Sequence, residues 1–181
     1  IVYDYHIRAK GLSNDCIIYR AKELGITVLE LYERLFKGER IEFNERSFAA
    51  LDDTCGFLRP ETAWFWLSCN FWDKQQNRIG INLASGVNES FGNENCLWIN
   101  GRMYPLADVL FEVTDENHWS IRSLDNKLNL VVETGWRRYE NLNLRMVGSQ
   151  FSQWQSKITG QIETEDQGMI QFDQQYGLLE Q

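Results

Sequence analysis

The sequence predicts a mainly β domain whose antiparallel strands run as a meander, closed into a barrel or folded into a sandwich. Three observations carry that expectation. From Ile41 onward, short runs of alternating apolar and polar residues are separated by turn residues, the period of half-buried strands. Asn100-Gly101 sits between two such runs, and Asn-Gly favours the tight hairpin turn that fits twisted strands. Seven Trp, seven Tyr and ten Phe in 181 residues favour strands, ligand sites and interfaces. A chain of this length can bury one substantial core, so residues 1–181 are expected to form a single domain.

Along the chain, Val2 to Arg8 alternates and reads as a strand. Residues 14–37 change period. Cys16, Ile17, Ala21 and Leu24 recur at helical spacing, Gly25 stops the run, and Thr27 with Glu30 makes a capping box for a second run through Val28, Leu31, Tyr32 and Leu35. A short helical hairpin is therefore expected near the N-terminus. The stretch Trp64 to Trp72 carries Trp64, Trp66, Ser68, Asn70 and Trp72 on one face and Phe65, Leu67, Cys69 and Phe71 on the other. A strand apolar on both faces is expected to be covered on both. Asp73 to Asn77 makes a polar turn, Arg78 to Leu83 returns, and Cys96 to Ile99 meets Arg102 to Pro105 across Asn100-Gly101. Further strands are expected at Val109–Val113, Trp119–Ser123, Leu128–Val132, Leu142–Met146, Trp154–Glu163 and Met169–Phe172.

Composition narrows the function. A formal net charge of −8 repels phosphate backbones and anionic lipid surfaces, which argues against a nucleic-acid partner. The helical spacing of residues 17–35 resembles a helix-turn-helix, but residues 14–44 hold five basic and six acidic groups, too balanced for a DNA footprint. Cys16, Cys55, Cys69 and Cys96 include no close pair, and His6 and His118 are the only histidines. No metal site and no cofactor are expected. Reduced thiols and a cytoplasmic location are expected, and no run is long and apolar enough to predict a membrane span.

Ordered motifs then suggest a family. Leu51-Asp52-Asp53, Gly56-Phe57 and Arg59 precede Glu61-Thr62-Ala63-Trp64-Phe65-Trp66. Gly80-Ile81-Asn82-Leu83-Ala84-Ser85-Gly86-Val87-Asn88-Glu89 is followed by Glu94-Asn95-Cys96-Leu97-Trp98-Ile99-Asn100-Gly101, and Trp119-Ser120-Ile121-Arg122-Ser123 comes later. In these segments the stretch Phe48 to Gln181 resembles the family called domain of unknown function 2804, placed among the calycins, the superfamily that contains lipocalins. The resemblance implies a lipocalin-like barrel or part of one. It gives no counterpart for the helical text at 14–37. The family's additional N-terminal half implies a missing lobe or a homo-oligomer to cover the outer face of the Trp64–Trp72 strand. Distant calycin-like relatives include carotenoid hydratases, which implies an apolar isoprenoid or lipid ligand by analogy of fold.

Two groups of side chains are candidates for a site. Trp64, Trp66 and Trp72, with Ser68 and Asn70 between them, suit the interior of a cavity that binds an apolar or amphipathic molecule; packing is the plainer reading of the same residues. Asn82, Asn88, Glu89, Glu94 and Asn95 cluster around Gly86 and Gly92 and suit a cavity mouth; a loop that satisfies its own backbone explains them too. The leading function is binding of an apolar small molecule, against the alternative of a non-catalytic interaction domain with an aromatic interface. A hydratase or isomerase acting on an unsaturated lipid would need a carboxylic acid kept neutral by an apolar wall, and its candidates are Glu89, Glu94 and Asp53.

Overall fold

The computed structural model describes residues 61–86, 93–144 and 147–181, all within one compact unit of the chain, Thr54–Gln181. The expected helical pair at 14–37 and the strand at Val2–Arg8 lie outside the described residues. Nine antiparallel strands form one sheet: β1 (Phe65–Trp72), β2 (Arg78–Ser85), β3 (Cys96–Ile99), β4 (Arg102–Pro105), β5 (Val109–Val113), β6 (His118–Ser123), β7 (Leu128–Leu144), β8 (Val147–Thr164) and β9 (Gly168–Glu180). Their order is β4-β3-β2-β1-β9-β8-β7-β6-β5. Strands pair with their sequence neighbours within β1–β4 and within β5–β9, β1 takes β9 as its second partner, and β4 and β5 are the two edges.

Side-chain contacts require that sheet to curl. β1 and β5 are five places apart in the order, which a flat sheet would spread over about 24 Å at about 4.8 Å per strand. Yet the Phe65 ring on β1 stacks on Phe111 of β5 at 5.6 Å and meets Trp119 of β6 edge-on at 5.7 Å. At the opposite end of the strands, Arg102 at the start of β4 reaches Asp166 in the β8–β9 turn at 3.2 Å. The sheet is thus a curled half-barrel with its core on the concave face. Leu67, Cys69 and Phe71 of β1, Ile79, Ile81 and Leu83 of β2, Leu128, Leu130 and Val132 of β7, and Ile158 and Ile162 of β8 are all buried there.

Local chemistry explains the turns. Asp73 closes the β1–β2 turn by accepting from the amides of Gln75 (2.9 Å) and Asn77 (2.7 Å). Asn100 and Gly101 have φ of 54° and 88°, the left-handed pair that a two-residue hairpin needs, and Asn100 Oδ1 accepts from the Arg78 amide at 2.9 Å. Between β6 and β7, Ser123 Oγ donates to Asp125 at 2.6 Å and accepts from the Leu128 amide at 2.9 Å, while Asn126 takes a φ of 60°.

The later strands are longer than their alternation predicts. Leu128–Val132 and Leu142–Met146 read as separate runs, but one strand joins most of that span, with a register shift between Thr134 and Arg137. β8 shifts again between Ile158 and Gly160. Gly160, at φ 141°, passes so close to β7 that a Cβ there would lie 2.2 Å from the Asn129 carbonyl oxygen. Beyond Thr134 and Ser152 the described parts of β7 and β8 pair with each other as a two-stranded ribbon, because β6 reaches only Glu133 and the last main-chain bonds from the β9 side join Gln181 to Ser152.

Two glycine substitutions should separate strain from collision. Around Gly101 nothing stands within 4 Å of a Cβ, so Gly101→Ala should cost only the left-handed conformation, about 1 kcal/mol, and lower Tm by about 3 °C. Gly160→Ala meets backbone that cannot swing aside and should lower Tm at least about twice as far; equal shifts in thermal unfolding would contradict this account of the bulge.

The Asp125 turn gives a pH prediction. Its carboxyl is held below the usual carboxylate range, chiefly by the Ser123 hydroxyl, which outweighs an opposing burial effect, with the Lys127 amide adding a lesser contribution. A depressed carboxyl stabilises the fold above its unfolded value of about 3.9, and the contribution is lost as pH falls through the lower folded value. Asp125→Asn should therefore flatten the acid limb: between about pH 5 and pH 3, wild type should lose more of its Tm than the variant.

Candidate functional site

The structure keeps most of the Trp row together. Trp66, Ser68, Asn70 and Trp72 alternate along β1, and register places Asn82 of β2 directly beside Ser68. Trp64 precedes β1, with its ring 6.3 Å from Phe151. The expectation that this row faces the barrel interior requires correction: the concave face belongs to Phe65, Leu67, Cys69 and Phe71, and the Trp row stands on the other side. The physical reason is polar. Residues of the Leu67 face bring no indole N–H into the core, whereas Trp66 Nε1 donates to Asn82 Oδ1 at 2.7 Å on the outer face. That outer face is half-buried, with Ser68 at its centre 5% exposed.

The amide residues have distinct roles. Asn82 Nδ2 donates to the Glu94 carbonyl at 3.0 Å, continuing the link from Trp66 into the segment before β3. Asn95 is 2% exposed. Its Oδ1 accepts from the Ala84 amide (2.7 Å), its Nδ2 donates to the Ala107 carbonyl (3.4 Å), and its own amide meets Asn93 Oδ1 (3.1 Å). It clamps the end of β2 to the β4–β5 connection, which leaves little of it for a ligand.

Of the expected acids, Glu94 is an exposed residue, outside the apolar wall that a neutral catalytic acid needs. Asp53, Asn88 and Glu89 lie outside the described residues. Cys96 is buried, and desolvation together with the nearby Glu94 carboxylate pushes its thiol up to about 11, far from the thiolate a nucleophile requires. His118 Nδ1 meets Asp115 at 2.8 Å in an exposed turn. Asp115 is held below the usual carboxylate range, first by the Asn117 amide and next by His118, and the pair ties that turn together. Among the described residues no group of three or more His, Cys, Asp and Glu side chains could hold a metal ion, and no helix is long and apolar enough to cross a membrane.

A second constellation escaped the sequence reading. The two ends of the concave face differ. At the end holding Phe71, Phe172, Ile79, Ile99, Ile162 and Ile170, these core side chains are at most 7% exposed, and Phe71 packs edge-on against Phe172 at 4.9 Å. At the other end, Phe65, Phe111 and Trp154 are only partly buried, and Val113 is 62% exposed. These aromatics are continuous: Phe111 stacks on Phe65, Phe65 meets Trp119, and Trp119 lies 5.9 Å from Trp154. Arg137, paired with Trp154 across β7 and β8, holds its guanidinium 5.1 Å from that ring's centroid and 4.7 Å from that of Tyr139. Nε and Nη2 of Arg137 donate to Ser152 Oγ at 3.2 and 2.6 Å. No local motif marks this set, because its members come from β1, β5, β6, β7 and β8 and meet only when the sheet curls.

A family model described as Domain of unknown function (DUF2804) matches residues 13–181. The chain belongs to this family. No curated protein and no solved structure matches the chain. The DUF2804 match begins well before Phe48, and its span includes residues 14–37.

The Asn95 clamp yields a test that separates scaffold from site. Asn95→Ala should leave the Ala84 amide without its acceptor and cost about 1–3 kcal/mol of unfolding free energy, read in urea denaturation. A variant as stable as wild type would instead free this side chain for ligand contact.

Proposed function

We propose that this domain binds an apolar small molecule, lipid- or isoprenoid-like, at the open end of its lipocalin-like half-barrel. The observation that carries the reading is the difference between the two ends of the concave face. Residues at the far end seal one another from water, while Phe65, Phe111 and Trp154 stay partly exposed around the buried Trp119, which joins them into a continuous aromatic wall. Partly exposed aromatic surface costs free energy in water, and covering it by an apolar ligand recovers about 25 cal/mol per Å². Aromatic walls with few polar groups are also the usual lining of small-molecule sites.

The rival reading places recognition on the outer face of β1, where Trp66 and Asn82 are joined by a hydrogen bond and would make an interface for a macromolecular partner. Trp fluorescence distinguishes the two. Titration with retinoids, fatty acids and short isoprenoids should perturb emission at micromolar concentration, and Trp154→Phe should remove most of the change while Trp66→Phe retains it. The opposite pattern would move the site to the outer face. No response across the panel would remove the ligand-binding reading.

A further inference from the structure

We propose that Arg137 makes the open end selective for amphiphiles with an anionic head group, a carboxylate or a phosphate; this rests on the ligand-binding reading above. Arg102, Arg122 and Arg138 each meet a carboxylate, in Asp166, Glu112 and Glu140. Arg137 forms no such ion pair among the described residues. It donates two N–H groups to a neutral hydroxyl, Ser152 Oγ, and lies over Tyr139 and Trp154. Ser152 is 6% exposed, so the anchor is rigid, while Arg137 itself is exposed to solvent. A guanidinium is a five-donor planar fork, and the part not bound to Ser152 remains to receive an anion.

Position gives that charge its meaning. Arg137 adjoins Trp154, the partly exposed last ring of the aromatic wall, so an alkyl chain laid against Trp154 would bring its head to the guanidinium. Charge-assisted bonds from Arg to carboxylate or phosphate are roughly twice as strong as neutral ones. A chain of net charge −8 repels anions at long range, so recognition of an anion calls for a local cation of this kind. The ring contacts and the Ser152 bonds also fix the side chain in advance, which lowers the entropy lost on binding.

Calorimetric titration with dodecanoate, dodecyl phosphate and dodecanol tests the proposal. Wild type should bind at least one of the two anions about tenfold or more tighter than the alcohol, and which anion leads identifies the head group. Arg137→Gln should bring the preferred anion down to the affinity of dodecanol and leave dodecanol unchanged. Arg137→Lys, which keeps the charge but not the fork, should fall between. If wild type binds all three equally, or if Arg137→Gln weakens anion and alcohol alike, the proposal fails while ligand binding stands. If none of the three binds, the ligand-binding reading fails and the proposal with it. Matching thermal unfolding of wild type and the two variants secures the comparison against loss of fold.

Discussion

Curling of the sheet is the constraint on which the rest of the structure depends. A nine-stranded antiparallel sheet has two faces, and this chain supplies aliphatic and Phe side chains in quantity for one of them. Laid flat, that face would leave Leu67, Ile81, Leu130 and Ile158 each with a dry neighbour to the side and water above. Curling puts β5 and β6 over β1, so the same residues fall to 0–1% exposure, and each fully buried Leu or Ile contributes about 1.5–3 kcal/mol relative to exposure. The right-handed twist of strands makes such coiling the natural shape of a large sheet, and the bulges in β7 and β8 sharpen it where the strands are longest. The Phe65–Phe111 stack and the Arg102–Asp166 contact stand at opposite ends of the strands. The ion pair is exposed and contributes little, so aromatic and aliphatic burial holds the curl.

Much of this fold is legible in the sequence because the deciding signals are local. Asn100-Gly101, Asp73 to Asn77 and Asp125-Asn126 each specify a turn through backbone conformations or side-chain acceptors within a few residues, and β1 to β6 follow from the apolar or alternating runs between those turns. β7 and β8 are only partly legible. Gly135 and Trp136 break the alternation at a bulge, and Arg137 to Asn141 is polar or exposed nearly throughout, so the period that marks a strand fades although pairing continues. Which face of β1 points inward is ambiguous for another reason: both faces are apolar, and the choice depends on indole partners and on aliphatic columns contributed by strands distant in sequence. The open-end constellation was invisible for the same cause, since no single segment holds two of its rings at a recognisable spacing.

Scaffold and site are separated in an orderly way. The amide residues that suggested a cavity mouth include Asn95, buried and bonded to Ala84 and Ala107, and Asn82, bonded to Trp66 and the Glu94 carbonyl. Such groups hold connections between strands, and their donors and acceptors are already committed. The open end is built differently. There the Arg137 guanidinium rests on a neutral anchor, and Phe65, Phe111 and Trp154 are only partly covered. Satisfied polar networks make structure rigid, whereas partly covered aromatics and an exposed cation leave interaction energy to be realised by another molecule.

The β7–β8 ribbon adjoins the proposed site. Main-chain pairing on three sides holds the sheet as far as Glu133 and Ser152, but beyond those positions each described strand of the ribbon has only the other. A two-stranded hairpin is marginal by itself, and local opening is least costly where few buried contacts must be broken. Arg137 and Tyr139 stand on this ribbon while Trp154 and Trp119 stand on the body of the sheet. The contact of Arg137 with Trp154 therefore crosses from the two-stranded ribbon to the body of the sheet. Moving the ribbon would break the Arg137 contact with Trp154 and the Phe151 contact with Trp64, while the end where Phe71 meets Phe172 would keep its packing.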